Sequence, residues 1–325
     1  MTTASAPGKI ILFGEHAVVY GRPALAVPVT QVQATVTVTE SIPDQRNGMK
    51  FGEMNGQARI RIEAPDIGIS TTLRSLLSNP APHPLATAIT SVFSTLGLGT
   101  PPPMIIHISS TIPIAAGLGS GAAVSVAIIR ALSTYFSRPL SEEKISALAY
   151  EVEKLHHGTP SGIDNSVITY ARPVYFIKDH PIETFRVGTP FTIVIGDTGI
   201  RALTKESVGD VRRLWQAEPA RWEKVFDGIG EIVRKARKDI EIGYVAPLGP
   251  LMVENHALLQ DLTVSSPELE RLIGAAYGSG ALGAKLSGGG RGGNMIALVQ
   301  TENAPAVAEA LISAGAKRTI ITTVE

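Results

Sequence analysis

The 325-residue chain contains no cysteine and no excess of charge of either sign. Without cysteine it can form no disulfide bond, no thiolate zinc site and no thiol nucleophile, so a metal ligand has to be an oxygen or a histidine nitrogen. The 29 Lys and Arg residues balance the 29 Asp and Glu residues. We therefore expect no nucleic-acid partner and no binding to an anionic membrane, and an anion has to be held by local geometry.

A long hydrophobic run is also lacking. The most apolar stretch, residues 115–132, contains three glycines and two serines, so it predicts a buried helix rather than a membrane span. The first nine residues lack the basic and apolar segments of a secretory signal, and we expect a cytoplasmic protein. The length and the 44% hydrophobic content predict about two packed domains.

The hydrophobic pattern predicts an α+β fold with one domain at residues 1–185 and a second at 186–325. Residues 31–40 alternate as a half-buried strand, and Ser141 is a helix N-cap with Glu142 and Glu143 in the first turn. Residues 166–169 and 173–177 have β character. In the second domain we expect strands at 191–195, 281–287, 295–299 and 318–324, and helices at 204–217, 219–240, 251–262, 267–277 and 304–314.

A glycine loop that leads directly into an uninterrupted helix is the clearest functional signal. Residues 113–123 read Pro-Ile-Ala-Ala-Gly-Leu-Gly-Ser-Gly-Ala-Ala. Glycines let backbone N–H groups converge, and the first helical turn adds unpaired donors and the positive end of the helix dipole. The segment is neither a Walker A sequence nor a dinucleotide turn. We expect it to bind polyphosphate, and close helix packing is the alternative.

Three other segments carry candidate residues, each with a structural alternative. Lys9 opens a strand and Glu15-His16 follows a glycine turn, where a solvated strand end and a satisfied turn are the alternatives. Glu153 lies about 80° from Ile145 on the helical wheel, at the edge of the apolar stripe, where it either binds Mg²⁺ or pairs with a neighbour. Asp164 follows a tight turn whose donors it could satisfy.

The last segment, residues 285–294, has five glycines among the six residues from 288 to 293. A simple hairpin does not need so many glycines, since each costs backbone entropy on folding. The composition therefore favours close approach to a ligand, with a bulged hairpin as the alternative.

Together the four segments resemble the GHMP kinase superfamily. They contain Pro-Gly-Lys and Gly-Glu-His-Ala-Val-Val-Tyr-Gly, then Gly-Leu-Gly-Ser-x-Ala-Ala, then His-Gly-x-Pro-Ser-Gly-x-Asp, and last Lys-Leu-Ser-Gly-x-Gly-x-Gly-Gly, in the family's order. The Ala-Val-Val-Tyr-Gly continuation resembles the branch that phosphorylates mevalonate. The resemblance implies a two-domain GHMP kinase fold, with an N-terminal domain like the second domain of ribosomal protein S5 and a ferredoxin-like C-terminal domain.

The resemblance also implies an enzyme that uses ATP and Mg²⁺ to convert mevalonate into 5-phosphomevalonate. In it Asp164 is the base or electrostatic anchor beside the attacking hydroxyl, and Lys9 lowers the pKa of that hydroxyl. Glu153 and Ser120 bind Mg²⁺, and Glu15, His16 and Thr204 contact the substrate. The residues expected to hold the nucleotide are Pro113, Gly117, Leu118, Gly119, Ser120, Gly121, Ala122, Gly288, Gly289 and Gly290.

Three positions depart from the family pattern. Gly121 replaces a second serine, Arg291 replaces a glycine, and Ala202 stands where some members carry an arginine near the substrate. Arg291 is expected to clamp a phosphate, and packing across the loop is the alternative.

Other activities stay open at this point. They are a sister activity (phosphomevalonate kinase, mevalonate 3-kinase or diphosphomevalonate decarboxylase) and a non-catalytic nucleotide-binding sensor. The family's habit predicts a homodimer.

Overall fold

A computed structural model describes residues 1–41, 60–113, 116–157, 161–201 and 204–325, with the side chains of residues 156 and 157 left out. Ala202 and residues 158–160 of the third motif lie outside the described residues. Contacts divide the chain into two compact units. Unit 1 comprises Met1–Gly8, Val32–Pro113 and Gly119–Thr169, and unit 2 comprises Lys9–Gln31, Ile114–Leu118 and Tyr170–Glu325. The division into domains 1–185 and 186–325 stays a prediction.

Two long strands at the start of the chain, β1 (Thr2–Phe13) and β2 (Ala24–Glu40), pair with each other and contribute residues to both units. The alternation expected for residues 31–40 is confirmed, because Val32, Ala34, Val36 and Val38 are buried between more exposed neighbours. In unit 1 the strand order is β4 (Ile69–Thr72), β3 (Ile60–Ala64), β5 (Met104–Ser110) and β2. The pair β3·β5 is parallel, and β3·β4 and β2·β5 are antiparallel.

The helices of unit 1 are α1 (Leu73–Leu77), α2 (Pro84–Leu96), α3 (Ser120–Tyr135), α4 (Glu142–His157) and α5 (Ile163–Tyr170). The predicted cap of α4 is confirmed, because the Lys144 amide donates to Oγ of Ser141 over 3.4 Å. The predicted strand at 166–169 is wrong, since these residues belong to α5. Val167, Ile168 and Thr169 are β-branched and gave the β signal, but all three are buried on a helix, and burial outweighs local propensity here.

Unit 2 contains a four-stranded antiparallel sheet in the order β11 (Arg318–Val324), β8 (Phe191–Asp197), β10 (Asn294–Val299) and β9 (Gly283–Ser287). In the described part of the connection between β8 and β9, the helices are α6 (Thr204–Ala217), α7 (Pro219–Ile242), α8 (Leu248–Asp261) and α9 (Pro267–Gly278). Helix α10 (Ala304–Ser313) connects β10 to β11. This β-α-β-β-α-β order, with the first strand beside the last and the third, is ferredoxin-like and confirms the expectation for the second half of the chain.

Two short strands, β6 (Val174–Phe176) and β7 (Glu183–Thr184), complete unit 2, where β6 pairs with residues 24–26 of β2. Among the described residues, no helix combines the length and the apolar character needed to cross a bilayer.

Candidate active site

The glycine loop has the backbone geometry of an anion site. Gly117 and Gly119 both have φ of 74°, which a residue with a Cβ rarely adopts, and Gly119 caps α3 at Ser120. The amides of the first helical turn therefore emerge from this loop. The Lys9 amide donates to the Leu118 carbonyl over 3.0 Å, which attaches β1 to the loop. Pro113, Leu118 and Ala122 are buried, Ser120 is half-buried, and Gly117 and Gly121 are exposed.

Asn294, which the sequence reasoning did not single out, is attached to the same loop. Its Nδ2 donates to the Ala116 carbonyl, and a Cβ on Gly117 would lie 3.6 Å from Nδ2. The side chain is 2% exposed, and its Oδ1 has no hydrogen-bond partner among the described residues. The sequence signal that could have identified Asn294 is a polar residue at the first position of a buried strand, directly after two glycines.

A buried ion pair joins the first motif to the last. The turn at Gly14 has φ of 100°, and a Cβ there would lie 2.5 Å from the Ala24 Cα, so only glycine fits. The next residue, Glu15, pairs with Nζ of Lys285, and both side chains are fully buried. Lys285 also donates to the Leu286 carbonyl over 2.6 Å. Burial lowers the pKa of Lys285, and the Glu15 carboxylate opposes this effect.

His16 is strained and neutral. Its φ of 61° lies in the left-handed region, where residues other than glycine are uncommon. Burial, together with the charges of Arg291 and Lys285, lowers its pKa from 6.5 to about 4, against the opposing effect of the hydrogen bond to Gly289. Nε2 lies 3.1 Å from the Gly289 carbonyl oxygen, so Nε2 carries the proton and Nδ1 is an acceptor. Nδ1 is buried and has no partner among the described residues.

The second loop, residues 288–293 and hereafter the glycine-rich loop, contacts Thr204 at Gly289, where a Cβ would lie 3.1 Å from the threonine Oγ1. Ligand approach does not explain all of its glycines. A Cβ on Gly290 would lie 1.9 Å from the Val264 carbonyl oxygen, and one on Gly292 would lie 2.8 Å from a main-chain oxygen at position 200. These two glycines let the loop pack against the protein's own backbone, whereas Gly288 faces open space.

In unit 1, Glu153 is buried on α4 and Asp164 is half-buried in the first turn of α5, the helix end that favours a negative charge. Asn165 fixes the start of α5 on α4, because its Nδ2 donates to the Ser146 carbonyl over 3.2 Å and to the Ser146 Oγ over 2.8 Å. The sequence reasoning missed this asparagine. Within the described ranges, no group of three or more His, Asp or Glu side chains forms a metal cage.

Among the residues predicted for the site, those of unit 2 fall into two connected groups. Lys9 contacts the glycine loop at Leu118, and His16 and Thr204 both approach Gly289. Ser120, Gly121, Ala122, Glu153 and Asp164 belong to unit 1.

Comparison with known families identifies the class of protein. The model of the GHMP kinases N terminal domain matches residues 85–172, and the model of the GHMP kinases C terminal domain matches residues 236–317. The chain belongs to the GHMP kinase family, and it is an ATP-dependent kinase that acts on a small molecule. The expected two-domain GHMP kinase fold is confirmed.

Individual relatives are similar to this chain over nearly its whole length. The chain is 37% identical over 322 residues to the mevalonate kinase of Thermococcus sibiricus, covering 94% of this chain and 92% of the relative. A crystal structure of L. major mevalonate kinase in complex with R-mevalonate is similar with a TM-score of 0.82 at 27% identity, covering 100% of this chain and 96% of that one. The Methanococcus jannaschii mevalonate kinase gives a TM-score of 0.80 at 27% identity, covering 99% and 96%.

Proposed function

We propose that this protein transfers the γ-phosphoryl group of ATP to the 5-hydroxyl of mevalonate and releases 5-phosphomevalonate. The relatives named mevalonate kinase, matched over nearly the whole chain, support this function, as does the similarity to a structure that holds R-mevalonate.

One observation on this chain carries the proposal: two buried acceptors side by side in sequence lack a donor. Oε2 of Glu15 and Nδ1 of His16 have no hydrogen-bond partner among the described residues, although both residues are at least 96% buried. Buried acceptors are costly unless a donor reaches them, and a substrate hydroxyl is such a donor. Because His16 stays neutral at pH 7, Nδ1 remains an acceptor for a hydroxyl of mevalonate.

For the transfer itself, we assign Asp164 as the group that accepts the proton of the attacking 5-hydroxyl. Lys9, 6% exposed on β1, stabilises negative charge that develops on that oxygen. Thr204 contributes a hydroxyl to substrate binding. These roles rest on the position of each residue in its motif and on its placement in its own unit.

For the nucleotide, we assign the loop residues Pro113 and Gly117 to Ala122, together with Gly288, Gly289 and Gly290. The backbone amides that begin α3 neutralise phosphate charge, and the left-handed φ angles of Gly117 and Gly119 form the turn that precedes them. The residues present fit Mg²⁺, which usually takes one or two carboxylates plus phosphate oxygens rather than a protein cage. Glu153 and Ser120 would hold it, and it would neutralise charge on the phosphates.

The test is ADP release by the purified protein with ATP and Mg²⁺, comparing mevalonate, phosphomevalonate, diphosphomevalonate and galactose. We expect turnover on mevalonate alone, and a loss of at least about 100-fold in kcat for Asp164→Asn because general base catalysis is removed. Asp261→Asn, an exposed carboxylate at the end of α8, is the matched control.

Each alternative result has its own meaning. Turnover on a phosphorylated substrate would assign a sister activity, and nucleotide binding without turnover on any substrate would assign a sensor. The homodimer and the cytoplasmic location stay predictions.

A further inference from the structure

Three side chains in one row of α6 face the glycine-rich loop. Thr204, Ser207 and Asp210 are spaced three residues apart, which places them along one side of the helix. A Cβ on Gly289 would lie 3.1 Å from Oγ1 of Thr204 and 3.2 Å from Oγ of Ser207. Two residues further along the loop, Arg291 forms an ion pair with Asp210. The loop therefore meets the same row twice, first at Gly289 and then at Arg291.

Arg291 is held by its backbone and by its side chain. Its φ of 59° lies in the left-handed region, and its amide donates to the Val264 carbonyl over 2.7 Å. Nε donates to the Thr263 carbonyl over 3.3 Å, and Nη1 donates to Oδ2 of Asp210. The guanidinium thus connects the turn after α8 with α6, and its Nε and Nη1 are directed at protein oxygens.

Asp210 has a second cationic partner, Arg213, and the two arginines differ in their exposure and in their distance along the sequence. Arg213 lies one turn further along α6 and is 75% exposed. Arg291 is 35% exposed and reaches Asp210 from 81 residues away. The hydrogen bond from Arg291, with help from the charge of Arg213, lowers the pKa of Asp210. Of these two ion pairs, the one with Arg291 connects the helix to the glycine-rich loop.

We propose that Arg291 and Asp210 are a positioning pair that holds the first turn of α6, and with it Thr204, against the glycine-rich loop. In this assignment Arg291 acts on the phosphoryl acceptor through Thr204 and does not clamp a phosphate. The assignment rests on the proposed function in so far as Thr204 contacts mevalonate.

The kinetic test uses variants that separate the two roles of the arginine. Arg291→Ala removes the guanidinium but keeps a Cβ at the left-handed position, and Asp210→Asn keeps the shape but removes the charge. We expect both variants to raise the KM for mevalonate about 3- to 10-fold and to leave the KM for ATP within about twofold, as for a half-buried charge pair. The double variant should be no worse than Arg291→Ala alone, because the charge of Asp210 has already lost its partner in the loop.

Two further variants serve as comparisons. Arg213→Ala removes the other partner of Asp210 and should leave both KM values unchanged. Arg291→Lys keeps the positive charge without the planar fork and should restore part of the mevalonate KM. A raised KM for ATP in Arg291→Ala, with Asp210→Asn normal, would overturn the proposal in favour of a phosphate clamp. Normal values in both variants would also overturn it.

Hydrogen exchange gives a readout that does not depend on activity. We expect the amides of residues 204–210 to exchange faster in Arg291→Ala and in Asp210→Asn than in the wild type, and to be unchanged in Arg213→Ala. Unchanged exchange in the first two variants would overturn the positioning role. If the wild type did not phosphorylate mevalonate, the proposed function would fail, and the exchange data would still decide whether the pair holds α6.

Discussion

Replacing Lys285 by methionine removes the ammonium group that faces Glu15 and keeps a side chain of similar length. Both partners are fully buried, and the ammonium also donates to the Leu286 carbonyl. The other carboxylate oxygen of Glu15 has no partner among the described residues. The variant therefore leaves a buried carboxylate without a counter-charge.

The expected cost follows from this burial. Removing one partner of a buried ion pair typically destabilises a protein by about 3–5 kcal/mol. This is a large part of the roughly 5–15 kcal/mol by which a typical domain is stable. The double variant Glu15→Gln/Lys285→Met removes both charges, so the uncompensated carboxylate disappears and we expect most of the loss to be recovered.

The assay is urea unfolding followed by circular dichroism for the wild type, both single variants and the double variant, analysed as a double-mutant cycle. Lys224→Met, on the exposed side of α7, is the control and should stay within about 0.5 kcal/mol of the wild type. A Lys285→Met protein as stable as the wild type would refute the reasoning, and so would a double variant that loses the sum of the two single losses.

Three further predictions concern the neighbouring residues. The pKa of His16 falls to about 4 on folding, so the unfolded chain takes up the proton before the folded chain as the pH falls below 6.5. Between pH 7 and 4.5 the free energy of unfolding, measured with urea, should therefore fall by about 2 kcal/mol more in the wild type than in His16→Gln. Equal falls in the two proteins would contradict this prediction. Asn294→Asp replaces the amide donor by a carboxylate that faces the Ala116 carbonyl oxygen. The variant should raise the KM for ATP about tenfold and the KM for mevalonate less. An unchanged KM for ATP would show that Asn294 does not support the glycine loop at residues 113–123. Gly290→Ala should destabilise the protein by more than about 2 kcal/mol, because its Cβ would lie 1.9 Å from a main-chain oxygen, whereas Gly288→Ala meets no atom within 4 Å and should cost about 1 kcal/mol for its φ alone; thermal unfolding of the two variants checks the order.

Local signals predicted the second half of the chain well. The helix Thr204–Ala217 and the start of Pro219–Ile242 were predicted at the residues where the structure places them. Helix α7 has a proline in its first turn and a glycine with φ of 77° directly after its last residue. Both are start and stop signals that act on the backbone within a few residues, so they can be read from the sequence. The same local logic failed at α5, where burial decided between helix and strand.

For the site, the sequence determined the chemistry that is available. The four motifs supplied a glycine loop at a helix start, the lysine Lys9, the three carboxylates of Glu15, Glu153 and Asp164, and the histidine His16. They led to the family that the comparisons confirm. Each of these features depends on a few consecutive residues, because backbone dihedral freedom, helix capping and residue type are local properties.

Only the tertiary structure decided which of these residues meet. Glu15 pairs with a lysine 270 residues away, Asn294 reaches the glycine loop across 178 residues, and Arg291 finds Asp210 across 81. No helical or strand periodicity extends over such distances, since these contacts exist only once the sheet and helices have packed. The sequence by itself therefore determined the class of chemistry and most of the elements, and the packing determined that His16 and α6 both contact the glycine-rich loop.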